Sequence, residues 1–131
     1  MERRNVNPWS WQDQYGFSQA IEVSGNQRTL ICAGQTSTAP DGSTLHAGDM
    51  RGQVTAALDN LETVLGEAGF ALSDVVRLNY YTTDIEAFFT AADILGERLG
   101  AAGIQPASTL LGVTRLAFPD LLVEIEATAV K

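Results

Sequence analysis

Hydrophobic and polar residues alternate along five short stretches of this chain and recur at helical spacing along two longer ones. The alternating stretches predict strands at residues 17–24, 28–33, 75–82, 107–115 and 121–130. The stretches with helical spacing predict helices over 54–68 and 85–99, each preceded by an aspartate suited to an N-cap and followed by a glycine suited to end it. The predicted order of elements is therefore β-β-α-β-α-β-β.

These elements indicate one α+β domain spanning residues 1–131, with no internal repeat or linker. The first two strands flank Gly25-Asn26, a typical turn dipeptide, and are predicted to pair as a hairpin. Two helices can cover only one face of a mixed sheet, and an uncovered apolar face is unstable in water. We therefore expect the other face to meet another subunit.

The last predicted strand carries two carboxylates among apolar residues. Because side chains alternate across a strand, Glu124 and Glu126 fall on a mixed face while the opposite face is apolar. A carboxylate inside a sheet is costly unless it is hydrogen-bonded, hydrated or paired. Glu124 therefore either lines a polar cleft, which makes it the first candidate for catalysis, or faces solvent at a sheet edge. We expect Glu126 to have a structural role or to be exposed at the edge of the sheet.

The composition excludes several classes of function. The chain has 131 residues and a net charge of −8, with its basic residues scattered, so we expect no nucleic acid as a partner. Cys32 is the single cysteine and reads as a core thiol, and nothing supplies the Cys and His cluster of a metal site. No stretch approaches the roughly 20 apolar residues of a membrane span, and no apolar leader begins the chain. The expectation is a cytoplasmic protein without a membrane partner.

Six short motifs recur in a characteristic order and spacing. They are Gly16-Phe17-Ser18-Gln19-Ala20, Ala33-Gly34-Gln35, Leu65-Gly66-Glu67-Ala68-Gly69, Asp74-Val75-Val76-Arg77, Pro106-Ala107 and Val123-Glu124-Ile125-Glu126-Ala127. In these motifs the chain resembles, from about residue 14 to its end, the RidA/YjgF family, also called endoribonuclease L-PSP or reactive-intermediate deaminases.

The resemblance implies a chorismate-mutase-like α+β fold assembled as a homotrimer, with sites in the clefts between subunits. Typical members hydrolyse reactive enamines and imines, such as 2-aminoacrylate, to 2-keto acids and ammonia without a cofactor. In that scheme an arginine holds the substrate carboxylate and a glutamate orients the attacking water. A tyrosine hydroxyl and a serine near the cleft assist.

Several site positions of this chain depart from the family pattern. The family's Pro-Ala-Arg-Ser element is Pro106-Ala107-Ser108-Thr109 here, so Ser108 replaces the carboxylate-binding arginine. Phe17 lacks the tyrosine hydroxyl, and Ala33 replaces the serine before Gly34. The expected site therefore comprises Glu124 as the catalytic residue and a substrate-binding set of Phe17, Ala33, Gly34, Ser108, Thr109 and Arg115.

The missing arginine limits the expected chemistry. A charge-assisted arginine–carboxylate pair contributes about 1.5 to 3 kcal/mol, so its loss costs on the order of ten- to several-hundred-fold in rate. We therefore expect weak activity on 2-aminoacrylate. Arg115 has two alternative roles: it either moves toward the site and replaces the missing arginine, or pairs with acidic residues on the surface. Trp9 and Trp11 have two alternative roles. They either pack over the sheet or the contact between subunits, or form an aromatic wall against an apolar ligand.

Two functional hypotheses remain at this stage. The first is a divergent Rid-type hydrolase acting on a small imine, enamine or related metabolite in an intersubunit cleft. The second is a non-catalytic trimeric protein that binds a small molecule. The family's ribonuclease label is disfavoured by the acidic charge balance.

Overall fold

The computed structural model describes residues 1–131 and contains six strands and three α-helices. Short 3₁₀ helices at Trp11–Tyr15 and Leu72–Asp74 complete the secondary structure. The elements are β1 (Glu2–Val6), β2 (Ala20–Ser24), β3 (Thr29–Thr36), α1 (Met50–Glu67), β4 (Val75–Thr82), α2 (Ile85–Thr90), α3 (Ala92–Ala101), β5 (Ala107–Gly112) and β6 (Val123–Val130).

A four-stranded mixed sheet organises the fold in the order β3-β6-β4-β5. Strand β6 is antiparallel to both of its neighbours, whereas β4 and β5 run parallel. A bulge interrupts the β3–β6 ladder between Cys32 and Gln35. The sequence thus predicted the α+β class and the mixed sheet correctly, and β6 occupies a central position between two strands.

The predicted hairpin between the first two strands is wrong. Strand β2 pairs antiparallel with β1, a strand the sequence did not predict, and the two form a separate small sheet. The chain between β2 and β3 turns away because the backbone amides of Gln27 and Arg28 both donate to the carbonyl of Lys131, at 3.0 and 2.8 Å. These bonds draw β3 to the end of β6. Strand β1 escaped prediction because it is a polar edge strand with little alternation.

The predicted second helix is interrupted at Ala91. The guanidinium of Arg51, on α1, donates to the carbonyl of Thr90 at 2.7 Å and binds Asp93 through both of its terminal nitrogens at 2.7 and 2.9 Å. An external donor at Thr90 replaces the bond that a continuous helix would make there. The helix after the break runs to Ala101, one residue past Gly100, which was predicted to stop it.

The hydrophobic core lies between the helices and one face of the four-stranded sheet. Helix α1 begins after the N-cap Asp49, whose carboxylate accepts from the Gly52 amide at 3.0 Å. The face of α1 toward β3 and β6 is fully buried, and each of its leucines contributes about 1.5 to 3 kcal/mol. The largest fully buried apolar side chains of the core are Leu58, Leu61, Leu65, Leu78 and Ile125.

Two amide side chains of α1 fix the segments that flank β6 and β3. Buried Gln53 donates to the carbonyl of Asp120 at 2.8 Å and accepts from the amide of Leu122 at 2.8 Å. Asn60 donates to the carbonyls of Thr36 and Thr38 at 2.9 and 3.0 Å. These bonds hold the start of β6 and the end of β3 in register, where the candidate site begins.

The sheet face opposite the helices, called the open face below, has no cover within the chain. It carries Ile31, which is 81% exposed, together with polar side chains from all four strands. Polar residues alternate with buried ones along β4 and β6, so the open face is mixed in character. The candidate catalytic residue lies on this face.

Candidate functional site

Strand β6 places the two glutamates side by side on the open face, as the alternating pattern predicted. Val123, Ile125 and Ala127 point into the core, and Glu124 and Glu126 are partly exposed on the opposite side. The two carboxylates are separated by one residue, so they share one face and repel each other. Their surroundings nevertheless differ sharply.

Glu126 is an anchored anion. Its Oε1 accepts from the hydroxyl of Tyr81 at 2.6 Å and from the side-chain amide of Asn79 at 2.9 Å. These bonds, Tyr81 first and Asn79 next, lower the pKa of Glu126. Because both donors come from the neighbouring strand β4, they hold the carboxylate in place and keep it charged.

Glu124 has no hydrogen-bond or ion-pair partner within the chain. Burial raises its pKa above the ordinary value, and the negative charge of Glu126 adds to the increase. In the β4–β6 ladder Tyr81 lies directly across from Glu124. The unpaired carboxylate is therefore free to accept a proton or orient a water molecule at higher pH than its neighbour.

Gly34 gives Glu124 the space it occupies. A Cβ atom built on Gly34 would lie 2.1 Å from Oε1, 2.5 Å from Cδ and 2.6 Å from Cγ of Glu124. The close approach follows from the bulge in β3, which brings residues 33 and 34 against β6 without regular pairing. Only glycine at this position allows the carboxylate to lie across β3.

A separate cavity of about 750 Å³ opens between the segment 13–17, helices α2 and α3, and strand β5. Its apolar walls include Tyr80, Phe88, Leu95 and Leu99. Burial raises the pKa of the Tyr80 hydroxyl, and the neighbouring Ser108 hydroxyl partly opposes this shift. Tyr80 therefore stays a neutral phenol at the inner end of the cavity.

The structure divides the predicted site residues between these two places. Gly34 lies against Glu124, and Ala33 precedes it in the same bulge of β3. Phe17 and Ser108 instead line the cavity, which Glu124 does not border. The Ser108 hydroxyl donates to the carbonyl of Pro106 at 3.1 Å. One protomer therefore does not bring Phe17 and Ser108 together with the glutamate.

Thr109 lies between the two places, on the edge strand β5. Its hydroxyl accepts from the guanidinium of Arg77 at 3.1 Å on the open face, and the residue also borders the cavity. Arg115 lies beyond the end of β5, is exposed, and donates to the carbonyl of Leu116 at 3.2 Å. It forms no ion pair within the chain, so the surface acids expected as its partners are absent.

Sequence reasoning missed three polar residues of the site: Arg77, Asn79 and Tyr81. They occupy alternate positions of β4 and therefore share the open face with the glutamates. Their signal was present, since polar residues at i, i+2 and i+4 of a predicted strand mark one face. The pattern does not reveal that β4 lies next to β6, because that neighbourhood depends on the order of strands in the sheet.

Two aromatic residues near the N-terminus, Tyr15 and Phe17, border the cavity, whereas Trp9 and Trp11 do not line it. Trp11 packs edge to face on Phe17, with ring centroids 5.8 Å apart, and on Tyr15 at 6.5 Å. Trp9 stays 61% exposed and makes no such contact. Trp11 thus supports the wall that Phe17 contributes.

Among the helices of the chain, none has both the length and the apolar character required to cross a membrane.

Comparison with known proteins gives the family. The Endoribonuclease L-PSP family model matches residues 12–131. A RutC family protein of Pyrococcus abyssi is 35% identical over 115 residues, which cover 88% of this chain and 86% of the relative. One from Aquifex aeolicus is 33% identical over 88% of each chain.

Solved structures agree with the sequence comparisons. The Rid family protein YyfB of Yersinia pestis superposes with a TM-score of 0.89 at 36% identity, over 100% of both chains. The YjgF gene product of Escherichia coli gives a TM-score of 0.71 at 27% identity, over 88% of this chain and 87% of the other. The chorismate-mutase-like α+β fold implied by the sequence motifs is thereby confirmed. The chain belongs to the endoribonuclease L-PSP family, which includes the RutC, YjgF and Rid proteins.

Proposed function

We propose that this protein hydrolyses the C=N bond of a small imine, or of an enamine through its imine tautomer, with Glu124 as the general base. The observation that carries the proposal is the unpaired Glu124 carboxylate beside an anchored Glu126. A general base works best when its pKa is raised toward the working pH, and burial together with the Glu126 charge acts in that direction. Family membership supports the same class of reaction.

The proposed reaction needs only water and the imine. Glu124 accepts a proton from water as the oxygen bonds to the imine carbon, and passes that proton to the nitrogen to give a neutral carbinolamine. Glu124 then takes the proton of the carbinolamine hydroxyl and delivers it to the amine nitrogen, so that the C–N bond breaks, a carbonyl compound and ammonia leave, and Glu124 is again a carboxylate. No oxidant, metal or cofactor is required to balance these steps.

The proposed active unit is a homotrimer with sites between subunits. In one protomer the cavity that contains Phe17 and Ser108 and the surface that contains Glu124 are separate, so a site containing both needs residues from two copies. The open face, with Ile31 81% exposed, is a suitable surface for such contact. The trimer was expected from the family resemblance, and the division of the site residues supports it.

The test is release of ammonia from imines generated in the assay, for the wild type and Glu124→Gln. We expect Glu124→Gln to lose on the order of 10²- to 10⁴-fold in kcat/KM, the usual contribution of a general base. Glu67→Gln, at the exposed end of α1, is the matched control and should behave as the wild type. Wild-type protein that releases no ammonia from any imine in the panel would instead favour a binding protein without turnover.

A further inference from the structure

The cavity beside β5 has the size of a small-molecule site and an unusual charge balance. Its volume of about 750 Å³ falls within the roughly 300–1,000 Å³ of typical ligand pockets. Ten of its eighteen lining residues are hydrophobic, and none is Arg, Lys or His. Asp13, at the rim, is the single charged residue of the lining.

Asp13 is held in position and still has a free oxygen. Its Oδ1 accepts from the side-chain amides of Gln105 at 2.8 Å and Gln12 at 3.3 Å, whereas Oδ2 has no partner within the chain. The exposed rings of Tyr15 and Phe89 lie at the same rim. A carboxylate and aromatic faces together attract a cation and repel an anion.

We propose that this cavity selects imines whose carbon bears an apolar or aromatic group and no carboxylate. The uncharged apolar group would fill the space between Phe88, Leu95 and Leu99, and the protonated nitrogen would approach Asp13. A carboxylate would enter an apolar space with Ser108 in place of a cation, and an unpaired buried anion is strongly disfavoured. This substrate class rests on the proposed function, because it names the compounds that the Glu124 site would hydrolyse.

Three probes of one shape and different charge test the cavity without any chemical reaction. Benzylamine is cationic, benzyl alcohol neutral and benzoate anionic at neutral pH, and their binding can be measured by titration followed by NMR. We expect benzylamine and benzyl alcohol to bind at least ten-fold more tightly than benzoate. Asp13→Asn should reduce the advantage of benzylamine over benzyl alcohol several-fold. Benzoate that binds as tightly as the other two would overturn the proposal.

A pair of glycine variants locates the binding. A Cβ atom built on Gly96, which lines the cavity from α3, or on Gly66, on α1 away from it, meets no atom within 4 Å. Gly96→Leu should therefore fill the cavity and weaken the binding of benzylamine at least ten-fold. Gly66→Leu should leave the affinity for benzylamine unchanged. Equal effects of the two variants would contradict the assignment.

A third variant reverses the charge preference. Ser108→Arg places a guanidinium at the inner end of the cavity, so benzoate should then bind at least as tightly as benzylamine.

The proposed function and the substrate class can fail separately. If the wild type hydrolyses carboxylate-bearing imines best and Glu124→Gln abolishes this, only the substrate class is wrong. If the probes bind as expected and no imine is hydrolysed, the cavity stands as a binding site and the proposed function fails.

Discussion

Replacing Gly34 with alanine tests whether the position of the Glu124 carboxylate matters for activity. The new Cβ would lie 2.1 Å from Oε1 of Glu124, where an ordinary contact needs 3.4 Å or more, so the carboxylate must move by more than about 1 Å. The colliding atoms, Oε1, Cδ and Cγ, all belong to the flexible side chain of Glu124, and residue 34 has no positive φ. The backbone therefore accepts alanine, and the displacement falls on Glu124 alone.

The expected result of Gly34→Ala is a stable protein with little activity. Replacing a glycine by alanine where the backbone allows it stabilises the folded protein by about 0.4 to 1 kcal/mol. This gain offsets the cost of moving one partly exposed side chain. The free energy of unfolding should therefore change by less than about 1 kcal/mol. A displacement of about 1 Å in a catalytic group can cost about 10²-fold in rate. The assays are kcat/KM for ammonia release and thermal unfolding, with Gly66→Ala as the control because its Cβ meets no atom within 4 Å. Activity within three-fold of the wild type at unchanged stability would refute the role assigned to this position.

Three further expectations concern assembly, substrate charge and pH. Light scattering at micromolar concentration should give the mass of a trimer, and a monomeric mass would remove the intersubunit site. Turnover of 2-aminoacrylate should be low, and Ser108→Arg should restore it only partly because Phe17 still lacks a hydroxyl; wild-type turnover equal to that of an arginine-containing relative would contradict this. Glu124→Gln should unfold at a higher temperature than the wild type at pH 8, with the difference shrinking toward pH 4. The sign follows because a carboxyl whose folded pKa is raised stabilises the fold only while protonated, and this stability is lost as pH rises through the folded pKa. A difference that grew on acidification would show that the pKa of Glu124 is lowered instead.

The parts of the fold that local sequence patterns predict are those in which a residue's environment depends on its own element. The alternation along β6 placed Glu124 on the mixed face, and helical spacing found α1, because each pattern reflects one buried face. The break at Ala91 could not be predicted in this way. It depends on Arg51, about 40 positions earlier in the chain, which takes the carbonyl that a continuous helix would use.

The candidate site shows the same limit. Motif comparison identified Glu124 and the replacement of an arginine by Ser108, since both can be seen within single segments. The bonds from Asn79 and Tyr81 to Glu126 connect residues 47 and 45 positions apart, and they exist only because β4 and β6 are neighbours. The separation of Ser108 from Glu124 within one protomer likewise follows from the sheet order, which no local pattern contains.

The dependence of kcat/KM on pH tests the central claim, that Glu124 is a free general base whose pKa is raised by burial and by the neighbouring anion. In the wild type the acid limb should have its midpoint above 4.5, the ordinary value for a glutamate, because burial and the Glu126 charge both disfavour ionisation of Glu124. Glu126→Gln removes that charge and should move the midpoint down, and Glu124→Gln should abolish the limb together with most of the rate. The account would be contradicted by an acid limb that persists in Glu124→Gln, or by a midpoint that Glu126→Gln leaves in place.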